Sequence, residues 1–179
     1  MKNIKGVLSL LLLLLWSVSL QAKTAVQIDM QANATLKEFS KVIKGSQSFL
    51  DEAKGVLIFP SVIKAGIGIG GEYGEGVLRV NGKSVQYYST ASASIGFQFG
   101  AQQKSIVIVF LTDKALHDFL GKDGWEVGVD GSIALIKVGV NSDISTTTLN
   151  KPVVGFVFGT KGLMYNLTLE GSKFTKIVR

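Results

Sequence analysis

From Ala25 to Ala53 the apolar residues recur at helical intervals. Leu36, Phe39, Ile43 and Leu50 share one side, while Lys37, Lys41 and Lys44 follow each other at i, i+4 and i+7 on another. At about 100° per residue the two sets point well over a right angle apart, which predicts an amphipathic helix. Gly45 stands where that helix is interrupted or ends. After Lys54 the period changes. Gly55–Phe59 is a continuous apolar run stopped by Pro60, the pattern of a buried strand, and the densest glycine stretch follows from Gly66 to Gly76. Val77–Val80 and Ser84–Tyr88 flank Asn81-Gly82, a strong hairpin signal. Ile95, Phe97 and Phe99 alternate with small or polar residues, and Ser105–Leu111 is a further apolar strand.

Thr112 then offers an N-cap and Asp113 suits the positive end of a short helix, whose apolar side is Leu116, Phe119 and Leu120. Gly121 and Gly124 close it. Trp125–Val138 returns to strand-like sequence, Asn141–Asn150 reads as a Ser/Thr-rich loop, and Val153–Phe158, Leu163–Glu170 and Lys173–Val178 read as closing strands. Roughly eight short strands at close spacing favour antiparallel pairing. The expected fold class is therefore α+β and mainly antiparallel: a glycine-rich sheet closing into a sandwich or barrel-like core, with an N-terminal amphipathic helix and one short inserted helix. Closure would hide the edges of so many apolar strands.

Composition sharpens this picture in a few places. The 179 residues suit one domain, and 46% hydrophobic against 18% charged residues supply an ample core. Glycine is the outlier, with 21 copies against two prolines and no collagen-like period, which points to bends, bulges and close backbone contacts. Before the helix, Lys2 and Lys5 precede an apolar run from Val7 to Leu15, and Ser17, Ser19 and Ala22 supply small residues ahead of Lys23. That three-part layout predicts a secretory signal peptide over residues 1–22, cleaved after Ala22, and export to a periplasmic or other extracytoplasmic compartment. The remainder divides into an N-terminal helical segment, 23–52, and a β-rich domain, 53–179. The 19 basic and 13 acidic residues give a net charge of +6, and loss of Lys2 and Lys5 with the leader leaves +4. This excess favours anionic surfaces. Arg79 and Arg179 are the only arginines, which argues against nucleic acid as a partner. The chain has no cysteine, so it forms no disulfide and no thiolate zinc site.

Catalytic patterns are sparse. Gly66, Gly68 and Gly71 satisfy GxGxxG, but Glu72-Tyr73-Gly74-Glu75-Gly76 follows where a dinucleotide site needs a helix N-terminus, so a bulged or bent strand is expected instead. The single histidine, His117, has no nucleophile-elbow sequence beside it and reads as a solvated helix-face residue. Glu72, Glu75, Glu126, Asp130 and Glu170 lie in glycine-rich segments, and spacing alone does not bring them together. No enzyme, metal or cofactor is expected. The stretch suited to a partner is Leu36–Lys44, whose apolar side and flanking lysines fit either a membrane interface or a helix docked on its own sheet.

Several segments together resemble the SYLF family. They are Ala53-Lys54-Gly55, Phe59-Pro60, Lys64, Gly68–Gly76, Tyr88–Gln102, Gly124-Trp125-Glu126, Asp130-Gly131-Ser132, Gly155–Gly159, Lys161–Met164 and Leu169-Glu170-Gly171, in that order. What the resemblance implies is binding rather than catalysis. Eukaryotic members bind phosphoinositide membranes, in part through an N-terminal basic amphipathic helix, and some bind actin; exported bacterial members are proposed to bind lipid. Carried onto this chain, the lipid-binding role falls on Leu36, Lys37, Phe39, Lys41 and Lys44, with anionic phospholipids such as phosphatidylglycerol or cardiolipin as partners. A cell-envelope protein-interaction module and a carrier of a hydrophobic ligand remain as alternatives.

Overall fold

The computed structural model describes residues 22–137, 150–162, 169 and 171–179. The leader up to residue 21, residues 141–149 of the expected loop and all but Leu169 of the Leu163–Glu170 strand lie outside them. Helix α1 spans Ala25–Val42 and α2 spans Ser46–Glu52. Thr24 opens α1 with a reciprocal capping box to Gln27, and Gly45, at φ 80°, separates the two helices in a left-handed conformation that glycine adopts without strain. Strands β1 (Gly55–Val80) and β2 (Lys83–Phe110) follow, then α3 (Asp113–Leu120) and β3 (Gly124–Glu126). Strands β4 (Ala134–Lys137), β5 (Val153–Gly162) and β6 (Lys173–Ile177) complete the described chain.

The fold is α+β, a curled, half-barrel sheet of mostly antiparallel strands. Among the described residues its order is β3-β6-β2-β5-β4, with β1 paired to β2, and of these strands only β4 and β5 run parallel. Asn81-Gly82 makes the expected two-residue hairpin, with both φ positive and Val80 paired to Lys83. Thr112 caps α3 by accepting from the Ala115 N–H at 3.2 Å.

One expectation needs correcting. The short strands read between Gly55 and Leu111 are two very long ones, of 26 and 28 residues. Pro60 does not end β1, because it falls at a register shift between Phe59 and Val62, where a missing N–H leaves no gap in the ladder. The glycines of Gly66–Gly76 do not break the strand either. They bend it. A Cβ on Gly66 would stand 2.3 Å from the Gly70 Cα, one on Gly74 2.8 Å from a Val62 methyl, and one on Gly76 2.2 Å from the Ile58 carbonyl oxygen. The two halves of β1 thus approach each other in layers, 58 against 76, 62 against 74 and 66 against 70. The β1–β2 ribbon doubles back at Ile67–Ile69, where the register shifts again. The expected bent strand is what the GxGxxG pattern encodes.

Each face of the sheet carries its own core. On one side Leu57, Phe59, Leu78, Tyr88, Ile106, Ile108 and Phe110 pack with Leu116 and Phe119 of α3, Trp125 and Phe174. Phe119 lies at the centre of this core, with ring centroids 4.9 Å from Tyr88, 4.8 Å from Phe110 and 5.7 Å from Trp125. On the other side Ile58, Val77, Val107, Val109, Val154, Phe156 and Phe158 receive Ile28, Ala32 and Phe39 of α1, Ile43 just after it and Phe49 of α2.

Candidate membrane-facing surface

Helix α1 is clamped to the sheet by its apolar stripe and by a polar seam. Phe39 is fully buried, its ring 4.9 Å from Phe156 and 5.8 Å from Phe158. Beside the stripe, Asp29 accepts hydrogen bonds from the Ser84 hydroxyl at 2.6 Å and the Tyr87 hydroxyl at 2.8 Å, and pairs with Arg79 at 3.5 Å. Arg79 also donates to Asn33 at 2.7 Å. Burial pushes the Asp29 carboxyl up, but the two hydroxyl bonds and the Arg79 guanidinium outweigh it and leave it below its ordinary value.

The start of the helix is tied down in the same way. The Lys23 backbone N–H donates to Glu75 at 3.2 Å, and Glu75 also accepts from the Tyr73 hydroxyl at 2.9 Å and from Arg179 at 2.6 Å. Burial raises the Glu75 carboxyl, yet the bond and charge of Arg179 together with the Tyr73 and Lys23 bonds bring it below the usual value. A cleft of about 310 Å³ runs here between Ala22, Lys23, Ser61, Ile63, Tyr73 and Arg179.

This docking decides what α1 can offer outward. Phe39 is an anchor to the sheet, and Leu36 is half-buried against the same core. Lys37, Lys41 and Lys44 are exposed. The helix turns two further apolar side chains outward, Val26 and Met30, each 67% exposed. At about 100° per residue, positions 26, 30, 37 and 41 share one face. That spacing is legible in the chain, but the apolar stripe of Leu36 and Phe39 is the stronger signal and points to the opposite side. A second exposed apolar group lies on the ribbon. Ile67 and Ile69, at 76% and 70% exposure, mark its bend, with Ile63 and Tyr73 also open to solvent on β1.

The acidic candidates are scattered. Glu72 pairs with Lys104 at 2.8 Å, Glu75 holds the seam just described, and Asp130 pairs with Lys122 and accepts from the Glu126 N–H at 2.7 Å. Glu170 lies outside the described residues. Among the described residues no three His, Asp or Glu side chains gather as metal ligands, and His117 is exposed on α3. No helix among them is long and apolar enough to cross a membrane.

The fold and surface define a curled antiparallel sheet with a basic amphipathic helix docked on one face. Residues 91–177 match the family model described as Ysc84, Las17-binding protein actin regulator, which is the SYLF family that the motifs resemble. No curated protein matches the chain.

Proposed function

We propose that the protein is an exported peripheral lipid-binding protein that meets anionic headgroups with the outer face of α1. The observation that carries this reading is the pairing of exposed Val26 and Met30 with exposed Lys37 and Lys41 on one face of a docked helix. Apolar side chains at one end and ammonium groups at the other suit the boundary between acyl chains and headgroups. The leader pattern supports export, and the family's description as an actin regulator supports a binding rather than a catalytic role. The alternative of an envelope protein-interaction module draws on the exposed Ile67 and Ile69. It requires salt-insensitive co-purification with one partner and no liposome binding.

The test is co-sedimentation of the chain from Lys23 with neutral and with phosphatidylglycerol-containing liposomes at low and high salt. Binding should rise with the anionic fraction and fall with salt. Replacing Lys37, Lys41 and Lys44 together by Gln should weaken it on the order of a hundredfold, at about 1 kcal/mol for each lysine near the surface. Undiminished binding by the triple variant would remove α1 as the contact surface.

A further inference from the structure

The inner face of the bent ribbon changes character along its length. Near the hairpin and at the opposite end of the ribbon it is apolar, but towards the bend it carries Lys64, Glu72, Thr90, Gln102 and Lys104, each at least nine-tenths buried. The register shows why they meet. Lys64 pairs across the ribbon with Gln102, Val62 with Lys104, Glu72 with Ser92 and Gly74 with Thr90. Cross-strand partners share a face. The close approaches of 62 to 74 and 66 to 70 then bring the Lys64–Gln102 pair over the Glu72–Ser92 pair.

The charges inside do not cancel. Lys104 and Glu72 neutralise each other at 2.8 Å, while Lys64, only 5% exposed, makes no hydrogen bond or ion pair with any described residue. Both amide atoms of Gln102, Oε1 of Glu72 and Oγ1 of Thr90 are buried without a partner among the described residues. The orphaned polar atoms on this enclosed face are costly unless a ligand completes them, and the Lys64 side chain beside them has no counter-ion among the described residues.

We propose that this cluster binds a phosphate group that still carries a proton, either inorganic phosphate or a phosphate monoester. Lys64 supplies the neutralising charge, with the Gln102 amide N–H and the Thr90 hydroxyl as further donors. Glu72 Oε1 is an acceptor that would repel a bare anion. It accepts the proton of a hydrogen phosphate, and this selects phosphate over sulfate and monoesters over diesters. The site is separate from the outer face of α1, so it stands or falls independently of the lipid-surface reading.

The experiment is a thermal melt of the chain from Lys23 at constant ionic strength. The added ligands are millimolar inorganic phosphate, sulfate, soluble short-chain phosphatidic acid or short-chain phosphatidylglycerol. Inorganic phosphate should raise Tm saturably, by roughly 5–10 °C at a hundredfold excess over Kd, and sulfate should not. Phosphatidic acid acting as well as phosphate would place a lipid monoester in the site, whereas inorganic phosphate acting alone would make the ligand the free ion. Any rise in Tm with phosphatidylglycerol should persist in Gln102→Glu, because a diester does not enter the site. Lys64→Met removes the unmatched charge and Gln102→Glu answers it with a carboxylate in the same shape. Both should melt at or above the parent without phosphate and lose the response to it. The Lys37, Lys41 and Lys44 triple Gln variant should keep the response. No shift with phosphate, an equal shift with sulfate, a phosphate response surviving in Gln102→Glu, or a phosphate response lost with the α1 lysines would each overturn the proposal.

Discussion

Lys37, Lys41 and Lys44 stand in water along α1 and the turn after it, whereas Lys64 and Lys104 lie inside the doubled ribbon. The two groups look alike along the chain, since each of these lysines has an apolar or small residue directly beside it. Their surroundings differ because a helix displays its residues by angle alone. Once Phe39 and Ile28 choose the buried side, the outward side is settled. A strand offers two faces, and which of them is enclosed depends on what the ribbon folds against. The bend at Gly66–Gly70 encloses the face that carries Lys64 and Lys104 and leaves Ile63 and Tyr73 outside. Charge went inward and isoleucine outward, the reverse of the rule that a pattern reader applies.

The ribbon side of this contrast is the easiest to break. Gly76→Val should abolish cooperative folding, because its Cβ would press on the Ile58 backbone, which has no rotamer to yield. Gly71→Ala, whose Cβ meets nothing within 4 Å, should stay within about 0.5 kcal/mol of the parent. Circular dichroism and a urea titration read both, and equal behaviour of the two variants would dismiss the close-approach account of the glycines.

The helix side yields a smaller effect. Phe39→Ala should cost about 3–5 kcal/mol, since it empties the space beside Phe156 and Phe158. A loss under about 1 kcal/mol would mean that α1 is not held by its apolar stripe.

The seam between helix and ribbon gives the smallest and most specific change. Asp29 and Glu75 sit below their ordinary values of 3.8 and 4.5 in the folded chain, so the unfolded chain takes up protons first as the pH falls. Their stabilisation is complete above the ordinary values and is lost as the pH drops through the lower folded ones. The double variant Asp29→Asn, Glu75→Gln should therefore show a flatter fall in Tm between about pH 6 and pH 3 than the parent. An identical slope would assign the acid sensitivity to other carboxyls.

Local signals carry much of the fold. The 3.6-residue period, Gly45, the Asn81-Gly82 turn and the Thr112 cap each act within a few residues, and each is found where its pattern stands. The strand count between Gly55 and Leu111 is not legible in the same way, because glycine marks a turn and a bend with the same residue. Only the Cβ clearances, set by chain segments up to 18 positions apart, tell the two apart. On the surface, the lysines of α1 are legible, but the outward Val26 and Met30 become significant only after the sheet has claimed Phe39.

By itself the sequence determined the helices, the hairpin, the antiparallel class and the family resemblance, because backbone propensity, periodicity and ordered motifs are local or additive along the chain. Tertiary structure alone decided that β1 and β2 run unbroken through their glycines, that Lys64 and Gln102 are enclosed together, and that Phe39 is an anchor. Those outcomes depend on which distant surfaces meet, and a bend that brings residue 62 against residue 74 leaves no periodic trace in the order of the amino acids.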